Sequence, residues 1–215
     1  YLGYLDDYAY LIWALIELFL ATGKPYYINQ ALDFNTQMIE LFKDIDEGGF
    51  FHTGKDSEEL IMKTKPIYDG ATPSGNSVLT MNLLRLSEIT DDITLTKLAK
   101  EQFNYFSTKL NETPHAYTHM LSAYLYYIAS KRKIVLVGEK FNETLKNICD
   151  TFIKKYLPFT TNVILLKNNI KEDKILNEYG NFSEEIAAYI CENFQCNEPI
   201  FNKEEIISSI EKMTN

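Results

Sequence analysis

The sequence predicts a mainly α-helical protein, built from helical hairpins arranged in two rings and followed by a small strand–helix–strand element. Five helix-length segments alternate between apolar on every side and apolar on one side, as expected for inner helices covered by outer ones. After residue 132 the pattern changes, and short runs of β-branched residues flank a further helical segment. We therefore assign residues 1–132 to the helical hairpins and residues 133–215 to an α/β segment that closes the same domain.

The first part contains the five predicted helices, which cover residues 5–21, 26–44, 77–90, 94–110 and 114–130. The first is apolar on all faces and ends at Gly23 and Pro25, a common helix stop. The second and fourth are apolar on one side, whereas the third and fifth are apolar almost throughout. We expect the following side chains to be buried between the first, third and fifth helices: Tyr8, Ile12, Leu15, Leu84, Leu121 and Leu125.

The second part combines strand-like and helical segments. Strand-like runs cover residues 133–138, 162–166 and 187–191, and predicted helices cover residues 141–156 and 203–213. A strand–helix–strand unit of this size predicts a parallel pair of strands joined by a crossover helix. Two connections are long: residues 45–73 are expected to form an ordered functional loop, and the polar residues 168–182 are expected to be mobile.

Composition excludes several classes of function. The 215-residue chain has a net charge of −9, which disfavours a nucleic-acid partner, because phosphate backbones are bound by clustered lysine and arginine. No glycine-rich nucleotide-binding motif follows either strand. The apolar run from Tyr8 to Leu20 is shorter than the ~20 residues that a membrane span needs. The chain opens at Tyr1 without a recognisable signal peptide, and its start in the middle of a helical pattern suggests a fragment of a longer protein. Three cysteines without a disulfide framework indicate a reducing, cytoplasmic compartment.

The three cysteines predict neither a disulfide framework nor a metal site. Cys149 lies in an amphipathic helical pattern and is expected in the core. Cys191 and Cys196 are expected to be structural thiols in a reducing compartment, since no further cysteine or histidine pair nearby completes four zinc ligands. His115 and His119 are four residues apart but lack the glutamate of a zinc-binding helix. We therefore predict no cofactor.

The candidate site lies where helix starts converge. Successive helices of a hairpin array are antiparallel, so the first, third and fifth helices point the same way and their N-termini meet at one mouth. Helix N-termini favour oxygen-rich ligands, and aromatic rings with planar polar groups suit sugars. We predict Asp7 and Asp69 as a catalytic acid and base, with their carboxylates about 5–10 Å apart as glycosidic chemistry requires. The predicted substrate-binding residues are Asp6, Tyr8, Tyr68, Ser74, Asn76, His115 and His119.

Each of these residues also has a structural interpretation. Acidic residues at helix starts are common N-caps, which applies to Asp6 and Asp7. Asp69 would then satisfy backbone N–H groups in an Asx turn. The remaining alternatives are caps at Ser74 and Asn76, a surface position for His115, and a local hydrogen bond at His52. The structural interpretation is stronger for each residue alone, but their convergence favours a pocket.

Four motifs, in this order, resemble one protein family. They are Leu-Asp-Asp-Tyr-Ala at residues 5–9, Gly-Gly-Phe-Phe-x-Thr-Gly-Lys-Asp at 48–56, Tyr-Asp-Gly-Ala-x-Pro-Ser-Gly-Asn-Ser at 68–77, and Tyr-x-Cys-x-Asn-x-x-Cys-x-x-Pro at 189–199. Essentially the whole chain is similar to the C-terminal part of proteins related to spermatogenesis-associated protein 20. The resemblance implies an N-terminal thioredoxin-like domain, absent here, joined to an (α/α)6 toroid. That toroid is similar to N-acylglucosamine 2-epimerases and six-hairpin glycosidases.

Two functional hypotheses follow. In the first, this partial toroid binds or processes a carbohydrate, with epimerase, isomerase or glycoside-hydrolase-like chemistry at Asp7 and Asp69. In the second, it is a non-catalytic scaffold for the thioredoxin-like domain of the longer protein. The discriminating observation is whether Asp7 and Asp69 lie side by side in an open cleft or are both engaged as helix caps.

Overall fold

A computed structural model describes residues 2–58, 61–170, 179, 183–192 and 195–213. Most of the segment that was expected to be mobile, residues 171–178 and 180–182, lies outside the described residues. The chain divides into two compact units, which are described separately. The first unit comprises Tyr1–Glu17, Tyr26–Ser87 and Asp91–Ile128, and the second comprises Leu18–Pro25, Glu88–Thr90 and Ala129–Asn215.

Helices make up most of the first unit, as the sequence predicts. Their bounds are α1 Leu5–Thr22, α2 Pro25–Phe42, α3 Gly75–Thr90, α4 Ile93–Glu112 and α5 Thr118–Ile128. The side chain of Asp92 caps α4 by accepting a hydrogen bond from the Thr94 backbone N–H at 2.9 Å. The fifth helix begins four residues later than predicted. Pro114–Ala116 forms a separate 3₁₀ turn, and Tyr117 has non-helical backbone angles that interrupt the helix.

Of the three predicted inner helices, α3 is more completely buried than α1 and α5. Nearly every α3 side chain is buried, but α1 and α5 each expose apolar residues. Of the predicted core, Ile12, Leu15 and Leu84 are buried, and Tyr8 and Leu121 are half-buried. The prediction for Leu125 is wrong, since this side chain is 53% exposed. The reason is that α5 buries one narrow face, made of Met120, Ala123 and Tyr126.

Hydrogen bonds of two polar side chains hold the long connection between α2 and α3 in place. The Asn76 amide accepts a hydrogen bond from the Phe50 backbone N–H and donates to the carbonyl oxygens of Phe50 and Pro66, at 2.9–3.1 Å. Lys65 Nζ donates to Asp44 Oδ2 at 2.6 Å, and this hydrogen bond lowers the pKa of Asp44. Both Asn76 and the Lys65 ammonium are shielded from solvent, so they fix the described parts of the loop against the helices.

A four-stranded sheet is the centre of the second unit. Its strands are β1 Arg132–Gly138, β2 Thr160–Leu166, β3 Ile186–Glu192 and β4 Gln195–Cys196, in the order β2-β1-β3-β4. β1 and β2 are parallel, which confirms the predicted crossover, and β3 is antiparallel to both β1 and β4. The helices of this part are α6 Glu143–Ile153, α7 Lys167–Ile170 and α8 Lys203–Lys212.

The core of the second unit lies between the sheet and the helices α6 and α8. It is made of aliphatic side chains such as Ile134, Leu136, Ile148 and Ile206. Cys149 belongs to this cluster and is buried, as predicted. Desolvation by burial, followed by the nearby charge of Asp150, raises the pKa of its thiol to about 11.

Cys191 and Cys196 are joined in a disulfide, so the expectation of two separate thiols is wrong. The cause is their placement directly opposite each other on β3 and β4, a proximity that the four intervening residues do not reveal. Cys191 is buried, as expected for a structural residue. Among the helices that the structure describes, none is both long and apolar enough to cross a membrane.

Candidate functional site

Asp69 joins the beginnings of α3 and α5. Its Oδ1 accepts a hydrogen bond from the Ser74 backbone N–H at 2.9 Å. Its Oδ2 accepts from the backbone N–H groups of His119 at 2.8 Å and Met120 at 3.2 Å. These N–H groups lie at helix starts, where they have no partner within the helix. Asp69 therefore caps two helices at once, although fifty residues separate it from His119.

The start of α1 lies against the start of α3. A Cβ atom at Gly75 would collide with Asp6 Oδ1, so glycine permits the close approach of the Asp6 carboxylate to α3. The Leu5 backbone N–H donates to the His52 carbonyl oxygen at 3.0 Å, which attaches the long loop to the same place. The N-termini of α1, α3 and α5 are thus connected through short contacts.

One face of α1 carries aromatic and acidic side chains toward this region. Asp6, Tyr10, Trp13 and Glu17 follow one another at intervals of four, three and four residues, which places them on one helix face. The Tyr10 and Trp13 rings are stacked with centroids 6.0 Å apart, and Trp13 and His119 are 5.4 Å apart. We call Tyr10, Trp13 and His119 the aromatic row. All three are half-buried, so part of each side chain remains accessible.

Polar contacts hold the aromatic row in place. The Tyr10 hydroxyl donates to the Pro73 carbonyl oxygen at 2.9 Å. The Trp13 indole Nε1–H donates to Glu17 Oε1 at 2.9 Å, and Arg85 Nη1 donates to the same oxygen at 2.7 Å. Burial acts to raise the pKa of Glu17, but the hydrogen bond and charge of Arg85, together with the hydrogen bond from Trp13, outweigh it and lower the pKa. Glu17 therefore stays ionised and orients the indole ring.

The charges of two carboxylates act on the tyrosine of the row. Burial raises the pKa of Tyr10 above its ordinary value, and the charges of Asp6 and Asp69 act in the same direction. The phenol is therefore protonated at neutral pH and can donate a hydrogen bond. In His119, burial lowers the pKa of the imidazole, and the negative charge of Asp69 opposes that shift only in part. His119 is accordingly a neutral ring at pH 7.

Three polar atoms in this region are buried without a hydrogen-bond partner among the described residues. They are Asp6 Oδ1, His52 Nδ1 and His119 Nε2. His52 Nδ1 lies 3.8 Å from Asp6 Oδ1, and the His52 ring is stacked on Tyr4 with centroids 4.9 Å apart. Buried polar atoms in native proteins are nearly always paired with protein, water or ligand, so this concentration is unusual. All three unpaired atoms lie close to the helix starts that Asp69 joins.

The structure brings only some of the predicted site residues together. Asp6, Asp69, Ser74 and His119 belong to the connected helix starts, with Ser74 serving as the N-cap of α3. Asn76 faces the interior instead, with no exposed surface and with its amide bonded to backbone, so the prediction that it faces a cavity is wrong. Tyr8 packs edge-on against Phe34 and Phe42 of α2, rather than lying at the mouth.

The other predicted residues lie at the surface. Asp7 is exposed, and its Oδ2 accepts a hydrogen bond from the Tyr4 backbone N–H at 2.8 Å. Tyr68 is exposed beside Gly70, and His115 is exposed on the 3₁₀ turn. Asp7 and Asp69 are therefore both engaged as helix caps. Their geometry matches the structural interpretation of these carboxylates and gives no support to an acid–base pair.

Sequence reasoning missed Tyr10, Trp13, Glu17 and Arg85 as members of the site, and it treated His52 as a local turn residue. A usable signal was present. Asp6, Tyr10, Trp13 and Glu17 can all form hydrogen bonds, and they recur at helical spacing on a helix that is otherwise apolar. This spacing indicates a helix face that is not only part of the core. No three histidine, cysteine, aspartate or glutamate side chains in the described parts of the chain are grouped to hold a metal ion.

Comparison with known proteins agrees with the resemblance inferred from the four motifs. No family model matches the chain. An uncharacterised protein of Caenorhabditis elegans is 29% identical over 98% of the chain and 28% of its own length. Spermatogenesis-associated protein 20 is 27% identical in Homo sapiens and 26% in Rattus norvegicus, in both cases over 92% of the chain.

The matched part is short relative to these proteins. The chain spans 28% of the worm protein and 26% of the human and rat proteins, or about a quarter of each. The similarity nevertheless extends over 92–98% of the present chain. The chain is therefore similar, over nearly its whole length, to part of spermatogenesis-associated protein 20 and of the worm protein.

Proposed function

We propose that this chain binds a carbohydrate through the aromatic row. The observation that carries the proposal is the row itself: three half-exposed rings on α1 and α5, adjoining the helix starts where Asp6 and His119 have unpaired polar atoms. Rings of this kind stack on the apolar faces of sugars, and polar groups beside such rings fix the orientation of the ligand. The ring orientations are fixed by Pro73 and Glu17, which reduces the ordering cost of binding.

Binding is better supported than glycoside hydrolysis. Hydrolysis needs two available carboxyl groups flanking the bond, whereas both Asp69 oxygens accept backbone hydrogen bonds and Asp7 caps α1. If the longer protein processes its sugar, epimerase or isomerase chemistry fits the region better. The groups to carry protons would then be the imidazoles of His52 and His119.

Trp13 provides a direct test, because it is the single tryptophan of the chain. The chain is titrated with D-glucose, D-mannose and N-acetyl-D-glucosamine while the Trp13 emission is followed. We expect a saturable change in intensity or wavelength with at least one of the three sugars. A linear response to all three, identical to that of free tryptophan, would contradict the proposal.

Variants then locate the binding surface by calorimetry. Trp13→Leu should weaken sugar binding roughly 3–10-fold, corresponding to about 0.5–1.5 kcal/mol for one aromatic contact. Tyr26→Leu is the matched control, since Tyr26 is an exposed aromatic residue at the start of α2. The control should bind the sugar like the parent chain. Equal losses in the two variants would place binding away from the aromatic row.

A scaffold function is the second candidate, favoured by the exposed apolar side chains of α5. Leu125 and Ile128 are more than half exposed and lie on one side of the helix. In the longer protein, further hairpins of an (α/α)6 toroid or the thioredoxin-like domain would cover them. Hydrogen exchange on the longer protein tests this: we expect α5 to be protected there and not in the 215-residue chain.

A further inference from the structure

The disulfide between Cys191 and Cys196 lies at the edge of the sheet with its two halves in different surroundings. Cys191 on β3 is 1% exposed, whereas Cys196 on β4 is exposed to solvent. In the described sheet β4 is one of the two edge strands, and it is only two residues long. A thiolate arriving from solvent therefore reaches the Cys196 sulfur far more readily than the Cys191 sulfur.

The fold does not depend on this bond to hold the edge segment in place. The Asn197 backbone N–H donates to the Ile190 carbonyl oxygen, and Ala188 and Ile200 exchange two further backbone hydrogen bonds, all at 2.8–3.0 Å. The disulfide encloses a loop of only five residue steps, and short loops give the least entropic stabilisation. Reduction can therefore proceed while the sheet stays folded.

A buried lysine stands on the other side of Cys191. The antiparallel register places Lys133 of β1 directly opposite Cys191, and Cys196 of β4 opposite Cys191 on its other flank. Residues directly opposite in antiparallel strands project from the same face. Lys133 is 2% exposed, and its ammonium nitrogen lies 5.8 Å from the centroid of the Tyr179 ring, in a poorly solvated environment. A positive neighbour of this kind favours the thiolate form of a cysteine.

We propose that Cys191 and Cys196 form a reversible thiol–disulfide exchange site that accepts electrons from a dithiol. A thiolate of the dithiol attacks Sγ of Cys196, the Cys191–Cys196 bond breaks, and Cys191 leaves as a thiolate beside Lys133. The second thiol of the same dithiol, as a thiolate, then attacks the dithiol sulfur that is bonded to Cys196. This step closes the dithiol into a disulfide and releases Cys196 as a thiolate. Two electrons reach the protein, both cysteines end as thiols or thiolates, and the dithiol becomes a disulfide.

The remaining cysteine does not compete in this exchange. Cys149 is buried in the core of the same unit, and its raised thiol pKa of about 11 leaves very little thiolate at neutral pH. Because the thiolate is the attacking species, Cys149 should neither reshuffle with the pair nor react under native conditions. It serves as an internal reference for any unfolding.

The experiment equilibrates the folded chain with mixtures of reduced and oxidised dithiothreitol, quenches with acid, and counts thiols by maleimide mass labelling. We expect two thiols to appear and disappear reversibly, with Cys149 unlabelled and the circular dichroism spectrum unchanged. Appearance of the pair only at denaturant concentrations that also expose Cys149 would overturn the proposal.

Two variants, each lacking one cysteine of the pair, test which sulfur is attacked. With oxidised glutathione as the probe, Cys191→Ser should form a mixed disulfide at Cys196, and Cys196→Ser should form little at Cys191. Equal adducts at the two positions would contradict the assigned direction. Lys133→Met should slow reduction of the native disulfide roughly threefold by raising the pKa of the leaving thiol, and Lys133→Arg should restore the rate. An unchanged rate in a folded Lys133→Met variant would remove the lysine from the step.

Discussion

His119 shows how one side chain can serve both the fold and the proposed site. Its backbone N–H is capped by Asp69, while its ring contacts Trp13 and presents a buried Nε2. Burial lowers the pKa of the ring, so a neutral imidazole is the folded form at pH 7. A neutral histidine can accept or donate a hydrogen bond, which suits a sugar hydroxyl better than a charged imidazolium would.

The lowered pKa of His119 predicts a loss of stability in weak acid. An unfolded histidine takes up a proton near its ordinary pKa of about 6.5, but the folded ring takes it up only at lower pH. Between these two pH values the unfolded chain binds more protons, so the free energy of unfolding falls as the pH falls. We expect the melting temperature of the parent chain to drop more between pH 7.5 and pH 5 than that of His119→Gln.

The comparison of the two proteins isolates His119, because the carboxylates that also protonate in acid are common to both. Trp13 emission gives a second readout, since a protonated imidazole 5.4 Å from the indole quenches it. The emission should fall with a midpoint below pH 6.5 in the parent chain and show no such step in His119→Gln. A midpoint above pH 6.5 would mean that the charge of Asp69, rather than burial, controls the ring.

At the scale of elements, the helix starts are joined by caps that come from distant parts of the chain. Asp69 belongs to the long connection yet caps α5, and the Asn76 amide of α3 binds the loop at Phe50 and Pro66. Each side chain satisfies backbone groups that would otherwise be buried without partners. Many of the polar side chains that suggested a ligand site in the sequence therefore form hydrogen bonds that join the loop to the helices.

These caps predict that Asp69→Asn destabilises the protein. An asparagine keeps one acceptor oxygen, so either Ser74 or the pair His119 and Met120 loses its partner, and the amide hydrogens face N–H donors. The cost should be about 1–3 kcal/mol. In a chain of this length, that corresponds to a fall in melting temperature of roughly 2–4 °C for each kcal/mol, measured by thermal denaturation.

Asp7→Asn is the matched control for Asp69→Asn. Asp7 is exposed and accepts one hydrogen bond from the Tyr4 backbone N–H, which an asparagine cap also accepts. Its melting temperature should change little. If Asp69→Asn instead melts like the parent chain and loses the fluorescence response to sugar, Asp69 acts on the ligand and its capping role is dispensable.

Most element boundaries were predictable from the sequence because their causes are local, but the start of α5 was not, since Pro114–Ala116 forms a separate turn. Gly23 and Pro25 end α1 near the predicted residue, and the β-branched runs predict the parallel strands β1 and β2. The uses of Asp69 and Asn76 were not predictable, since a cap and a ligand-binding residue require the same polar side chain. A cap is distinguished from a ligand-binding residue by the backbone groups that it meets in the fold. For Asn76 and Asp69 these include groups 26 and 51 residues away in the sequence.

At the scale of the whole molecule, the same argument applies to which helix faces are covered. The apolar character of α1, α3 and α5 predicted three buried helices, but only α3 is covered on nearly all sides. Apolar side chains show that a face can be buried without showing what buries it. The present chain spans about a quarter of the length of its relatives, and in a protein as long as they are, further chain would be available to cover the faces that are exposed here.

Two leucine-to-aspartate substitutions separate the covered face from the uncovered one. Leu15 on α1 is 8% exposed and Leu125 on α5 is 53% exposed. Leu15→Asp buries an unpaired charge, so it should abolish the cooperative melting transition of the 215-residue chain. Leu125→Asp should melt within a few degrees of the parent chain, because the new carboxylate remains hydrated. A cooperative, stable Leu15→Asp variant would show that the first unit is not organised around α1.

The proposed toroid is tested by the same substitution in a longer protein, one that holds this chain within the full length of the relatives. If further hairpins cover α5 there, Leu125→Asp should destabilise the longer protein by several kcal/mol while leaving the 215-residue chain nearly unchanged. If Leu125→Asp leaves the stability of both proteins unchanged, α5 faces solvent in the longer protein as well. That outcome would contradict a closed ring of hairpins and would leave the α5 face open to a partner, as the scaffold hypothesis requires.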